Sequence, residues 1–287
     1  MIWFLLAFLS AFFDSMKDIT SKKILKNVEP TIVALAQTAF AVPIFLFLTL
    51  VFEHPAFDDV FWIIVILHGI TIGFAFLVYM KSLKTTDISL SIPFTALSPV
   101  FMLFVTPLLI GESTTNAGSL GVLLIAAGVY VLNAGKASRG VLEPLRALLR
   151  DRGVRLMIFV AFLWSVTATI DRLALRHSTP LFYITIDYFF ASVFLYLNHL
   201  RTKTSLLGAT KKYIRTLASV GIFFALSQIA YIYAYKLTLA AYAISIKRTS
   251  VLFTVILGGF VFKEKNIRER FLGAALIVIG VAIILVF

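Results

Sequence analysis

Cysteine is absent from the 287 residues, which excludes disulfides and thiolate metal sites. Charge is scarce: Asp, Glu, Lys and Arg together make up 14%, where a soluble domain carries about 25%. Acids are the scarcer sign, 14 against 26 bases. The four histidines are scattered and no H-E-x-x-H occurs, so nothing points to a zinc protease or another metal site. There is no G-x-x-x-x-G-K-[ST] for an ATP-driven pump and no G-x-S-x-G for a serine hydrolase. No cofactor is expected, since Phe-rich spans need none to explain them. The first apolar run has no basic region before it and no A-x-A-like site after it. It reads as a retained span rather than a cleaved signal.

What is present is apolar: hydrophobic residues make up 60% of the chain. This is the composition of an all-α integral membrane protein. Runs of about 20 apolar residues mark spans. They fall at roughly 2–21, 31–52, 60–80, 88–110, 117–135, 155–175, 181–199, 215–235, 241–262 and 270–287, ten in all. The fourth is interrupted by Pro93, Pro99 and Pro107, which break backbone bonds that neighbours or water must re-satisfy. The longest connection contains VLEPLRALLRDRG. Its Val141, Leu142, Leu145, Leu148 and Leu149 could lie on lipid, with Arg146, Arg150 and Arg152 on headgroups; a solvated helical linker is the other reading. A net charge of +12 would suit nucleic acid. Here basic residues gather in the loops after spans one, three, five, seven and nine, as cytoplasmic loops do, and no nucleic-acid partner is expected. That pattern places both termini outside a plasma membrane of bacterial or archaeal type.

One stretch carries an unusual cost. Lys247 and Arg248 sit a third of the way into span nine, and an ionisable residue at hydrocarbon depth costs roughly 2.5–3.5 kcal/mol. They must face partners, water or a ligand. Helical spacing puts Ala243, Lys247, Ser250, Thr254 and Gly258 on one small, polar face, and Arg248 with Ile244, Leu252, Val255 and Gly259 on an apolar one. Lys247 is then the expected cavity residue, and Arg248 the expected partner of a neighbouring helix. Span four repeats the polar face in Ser91, Thr95, Ser98, Met102 and Thr106. Acids balance the cations: Asp14 and Asp18 in span one, Asp171 at the end of span six and Asp187 in span seven. Such charges either tie helices together or serve transport, with Asp14, Asp171 or Asp187 as proton sites. Gln37, Gln228, Tyr231 and Tyr235 could hydrogen-bond a solute or one another. Gly69 and Gly73 read as a helix-packing pair. His68 reads as a packing residue, and Trp3, Trp62 and Trp164 as lipid-facing or core bulk.

The chain also repeats itself. Glu112, Gly121 and Gly128 recur at one constant offset as Glu264, Gly273 and Gly280, and at that offset Tyr79 matches Tyr231, Ser98 matches Ser250 and Phe101 matches Phe253. Pro30 likewise matches Pro180, which aligns Gln37 with Asp187. Two copies of five spans follow, and since five is odd the second copy enters the membrane inverted. Inverted repeats around a midplane site are the mark of secondary transporters. The first repeat is expected over residues 1–135, a cytoplasmic linker over 136–153 and the second repeat over 154–287.

In Glu112-S-T-T-N-A-G-S-L-Gly121 with Gly128, and Glu264-K-N-I-R-E-R-F-L-Gly273 with Gly280, the chain resembles the EamA type of the drug/metabolite transporter superfamily. The resemblance covers nearly the whole chain. It implies spans one to four and six to nine around a central cavity, with spans five and ten outside. Many relatives carry Arg where this chain has Gln37 and Asp187, so a substrate pattern resting on that Arg does not transfer. The Lys247-Arg248 pair is similar to one in the plastid triose-phosphate translocators, which implies an anionic substrate. The expected function is secondary active transport or exchange of a small polar or anionic metabolite by alternating access. Lys247, Arg248, Ser250, Thr254, Thr95, Ser98, Gln37 and Tyr231 would hold the solute. A lipid or lipid-phosphate flippase of the same fold and an integral membrane enzyme are the competing readings. Ten spans enclosing their own cavity need no partner subunit.

Overall fold

Apolar length turns into helix wherever proline does not intervene. The computed structural model describes residues 2–110, 118–132, 143–202, 204–237 and 246–286. Among these residues no strand forms; the nearest thing is an isolated bridge between Phe57 and Ser178. Glu112, Ala243 and the linker positions Val141 and Leu142 lie outside the described residues. The helices are α1 (Ile2–Ile24), α2 (Pro30–Ala39), α3 (Val42–Phe52), α4 (Asp59–Thr85), α5 (Ile88–Ser91), α6 (Ser98–Ile110) and α7 (Gly118–Val131). They continue as α8 (Glu143–Arg150), α9 (Arg152–Ala174), α10 (Pro180–His199), α11 (Leu206–Leu237), α12 (Ser250–Phe262) and α13 (Ile267–Val286). Among the described residues five stretches are long and apolar enough to cross a membrane: Pro30–Phe52, Asp59–Thr85, Arg152–Asp171, Pro180–His199 and Leu206–Ala234.

Local chemistry sets the ends. Pro30 and Pro180 open α2 and α10, where a missing N–H costs nothing. The Asp58 carboxylate accepts from Phe61 N at 3.1 Å and Asp151 accepts from Val154 N at 3.0 Å, capping α4 and α9. The second span is two helices rather than one, broken at Phe40 and Ala41 ahead of Pro43. The fourth is broken around Pro93, where α5 passes into a 3-10 helix over Ile92–Leu97 and then into α6, but α6 continues through Pro107, where the sequence predicts a further interruption. The eighth starts earlier than expected, at Leu206, and bends at Tyr213 (φ −122°, ψ 20°).

Packing is closest where glycine allows it. A Cβ on Gly69 would come 2.7 Å from Phe190 Cβ and 2.9 Å from Asp187 O, and one on Gly73 3.1 Å from Ala191 O. The pair therefore seats α4 against α10, as the spacing predicts. The four motif glycines have the same role elsewhere. Gly128 and Gly273 face each other, as do Gly121 and Gly280, and a Cβ added to Gly128, Gly273 or Gly280 would lie within 2.7 Å of the opposite carbonyl oxygen. The pairs cross in reverse order, so α7 and α13 run antiparallel in direct backbone contact. α1 packs on α11 and α12, and α9 packs on α4 and α6. In the linker, Leu148 of α8 is buried and Leu149 is exposed.

Candidate functional site

The cavity begins with the α4–α10 seam. Because Gly69 lets the two backbones touch, the neighbouring His68 reaches Asp187, with Nδ1 2.7 Å from Oδ1. The other ring nitrogen, Nε2, lies 3.3 Å from Asp171 Oδ1 on α9. That is within ion-pair reach but off the line of a hydrogen bond, so Nε2 is buried without a hydrogen-bond partner. Tyr183 donates to Asp171 Oδ1 at 2.5 Å and its hydroxyl is 3.2 Å from His68 Nδ1. The Asp171 side chain is 44% exposed and that of Asp187 only 3%. The imidazole thus bridges an accessible carboxylate and a buried one.

Across the cavity stands α1. One helical turn brings Lys17 back over Asp14, and Lys17 Nζ lies 2.8 Å from Asp14 Oδ1 and 3.1 Å from Asp18 Oδ1. Asp18 also accepts from Tyr79 Oη at 2.5 Å. The charge of Lys17 is therefore answered by two carboxylates.

Lys247 and Arg248 close the third side, and their partners are neutral. Lys247 Nζ donates to Gln228 Oε1 at 2.8 Å and sits 4.0 Å from the centre of the Tyr231 ring. Gln228 in turn donates to the Tyr188 hydroxyl. Arg248 Nη2 donates to Ser98 Oγ at 2.6 Å, its guanidinium lies 6.0 Å from the Trp164 ring, and its Nε is buried with no partner. Among the described residues no carboxylate pairs with either cation. These groups enclose a cavity of about 180 Å³ lined by Asp14, Lys17, His68, Asp171, Lys247 and Arg248, with Phe76, Trp164, Phe224 and Tyr231 among its walls.

The lining corrects several expectations. Lys247 and Arg248 both reach the cavity, although regular helical spacing separates their faces. The backbone before α12 is not regular: Thr249 N bonds Ile246 O at 3.0 Å, Val251 N bonds Arg248 O at 3.1 Å and Leu252 N bonds Thr249 O at 2.9 Å. These are three-residue bonds of a 3-10 turn, which sets successive side chains further apart than an α-helix would, so the two side chains enter the cavity from different directions, Lys247 toward Gln228 and Arg248 toward Ser98. Arg248 also holds a neighbouring helix through Ser98, as expected. Tyr231, Asp14 and Asp171 line the cavity. Asp187 stands behind His68 instead. Ser98 acts through Arg248. Thr95 is buried and donates to its own helix at Ile92 O. Ser250 and Thr254 are outside the lining, and the Thr254 hydroxyl is buried without a partner. Gln37 is fully buried away from the cavity, with neither amide atom bonded.

Among the lining residues assigned elsewhere or given no solute role from sequence are His68, Trp164 and Lys17. His68 is a hub rather than packing, Trp164 faces the cavity rather than serving as lipid-facing or core bulk, and Lys17 forms part of its wall. Gly69 beside His68 is the signal that could have found the first, since it marks where α4 comes closest to another helix.

Comparison with known proteins gives the chain its kinship. No curated protein matches it. A solved structure described as "Crystal structure of protein" shares its fold with a TM-score of 0.65 and 18% identity, covering 98% of this chain and 95% of its own. The family model of the EamA-like transporter family matches residues 1–134 and again 151–286. With both segments matched and its helices long and apolar enough to span a bilayer, the chain belongs to the EamA-like transporter family, multi-pass membrane proteins that transport small molecules.

Proposed function

We propose that this protein is a secondary transporter or exchanger of a small anionic or zwitterionic organic metabolite, working by alternating access across the cytoplasmic membrane. One observation carries this reading: a cavity in which two adjacent cations, Lys247 and Arg248, have only neutral hydrogen-bond partners while Arg248 Nε and His68 Nε2 make no hydrogen bond. Buried donors are nearly always satisfied, so such a set is completed by water or by an incoming acceptor. Asp171 at the accessible end and the aromatic walls suit a solute with an anionic head and a polar or cationic second group. The volume, about 180 Å³, fits a metabolite rather than a phospholipid.

In this reading ten spans form two inverted repeats, over residues 1–135 and 154–287, joined by a cytoplasmic linker, with both termini outside. The packing supports it. The first helix of one half lies on α11 and α12, the first helix of the other on α4 and α6, and α7 and α13 cross antiparallel. Rocking of one half on the other would expose the cavity to either side. Asp171, His68 and Asp187 on one wall and Asp14 on the other are the proton-coupling candidates.

A thermal-shift panel of anionic, cationic, zwitterionic and neutral metabolites tests the site. Anions and zwitterions are expected to raise the melting temperature. Stabilisation by cations alone, or by no metabolite class, would overturn the reading. Uptake of the best binder into proteoliposomes under an imposed pH gradient then tests the coupling.

A further inference from the structure

A second hollow, of about 390 Å³, lies between α1 and α11 and shares no lining residue with the cavity. Thr20, Lys23 and Asn27 form one wall, and Tyr213, Arg215 and Ser219 the other. No carboxylate lines it. Lys23 and Arg215 are exposed, and their side chains make no hydrogen bond or ion pair with the described residues. The break in α11 at Tyr213 lies in its wall.

We propose that this hollow holds the headgroup of an anionic glycerophospholipid. Its depth fits: it sits where the apolar sequence of α1 gives way to Ser21, Lys22 and Lys23, the level at which phosphates lie. Its charge fits, because basic pockets between spans on a cytoplasmic face take anionic headgroups. The guanidinium of Arg215 matches a phosphodiester in shape, and Lys23 supplies a second positive charge. Asn27 and the Thr20 hydroxyl offer partners to a polyol, and Ser219, whose hydroxyl donates to Arg215 O at 2.8 Å, can still accept. The surface leading away from the hollow also fits. Phe13 and Phe223 stack at 6.5 Å across the α1–α11 seam, and Phe12, Ile222 and Leu226 are exposed on the same two helices. A basic hollow running into an apolar seam has the amphipathic shape of one lipid molecule, which a free phosphate could not fill.

The test is native mass spectrometry of the full chain in neutral detergent with dioctanoyl phosphatidylglycerol, dioctanoyl phosphatidylcholine or inorganic phosphate. The phosphatidylglycerol adduct is expected to persist where the other two do not. In Lys23→Ala/Arg215→Ala its affinity should fall by about fivefold for each cation removed. Lys23→Arg/Arg215→Lys should keep most of it. Lys81→Ala/Lys265→Ala, which removes two exposed lysines outside the hollow, should keep all of it. Equal retention of phosphate would identify a free-anion site instead. Equal loss in the Lys81/Lys265 variant would reduce the effect to general surface charge. Either result, or unchanged binding in Lys23→Ala/Arg215→Ala, overturns the proposal.

Discussion

Replacing Lys247 by Met keeps the length of the side chain and removes its charge. In the empty protein the loss is small. Lys247 gives up one bond to Gln228 at 2.8 Å and a contact with the Tyr231 ring at 4.0 Å, worth about 1–3 kcal/mol together. Against this, a cation with neutral partners no longer has to be kept out of water. The two terms nearly cancel, so the melting temperature without solute should hardly move. Binding should move far more. A hydrogen bond from a cation to a bound anion contributes about 1.5–3 kcal/mol, which is about 10- to 150-fold in Kd. Arg248 remains and continues to hold Ser98, so binding is weakened rather than abolished. Lys247→Arg should retain most of the affinity. The assay is titration of the best-stabilising anion against wild type and variant in the same detergent. If Lys247→Met melts normally and binds that anion as tightly as wild type, the cationic pair does not face the solute and the assignment of the site fails.

Three other outcomes follow from the same geometry. His68→Gln should melt lower than wild type by an amount worth about 3–5 kcal/mol, because it leaves the Asp187 carboxylate buried without its partner. Adding Asp187→Asn should restore the melt while proton-driven accumulation stays lost and solute exchange survives; a single variant as stable as the double would refute the pairing. Gly273→Ala should destabilise by about 1–3 kcal/mol, since its Cβ would stand 2.7 Å from Gly128 O and 2.8 Å from Leu132 N, both of them backbone; a wild-type unfolding curve would disprove the close crossing. In the loop before α4, the bond from His177 holds the Asp58 carboxyl below its ordinary range, as does the one from Phe61 N. A lowered folded value adds stability that is present above the unfolded value and lost as pH falls through the folded one. Asp58→Asn should therefore flatten the acid side of the melting profile, and an unchanged acid slope would remove this contribution.

The sequence alone determined what depends on local or periodic properties. Apolar run length reveals spans because a bilayer demands about 20 residues of helix. Pro93 and Pro99 announce the broken fourth span because a missing N–H cannot be concealed. The motif glycines stand out by their spacing, and Lys247 and Arg248 by their cost at depth. Only the tertiary structure decided which charges meet. His68 and Asp187 are 119 residues apart in sequence, and no periodicity along α4 indicates that a glycine seam brings α10 to its side. The same limit misplaced Gln37, whose polarity is right but whose helix face is buried away from the cavity. It also hid the partner of Arg248, Ser98, which lies 150 residues away in sequence. Residue type states the energetic need for a partner; which partner meets it depends on helix crossings set by contacts far apart along the chain.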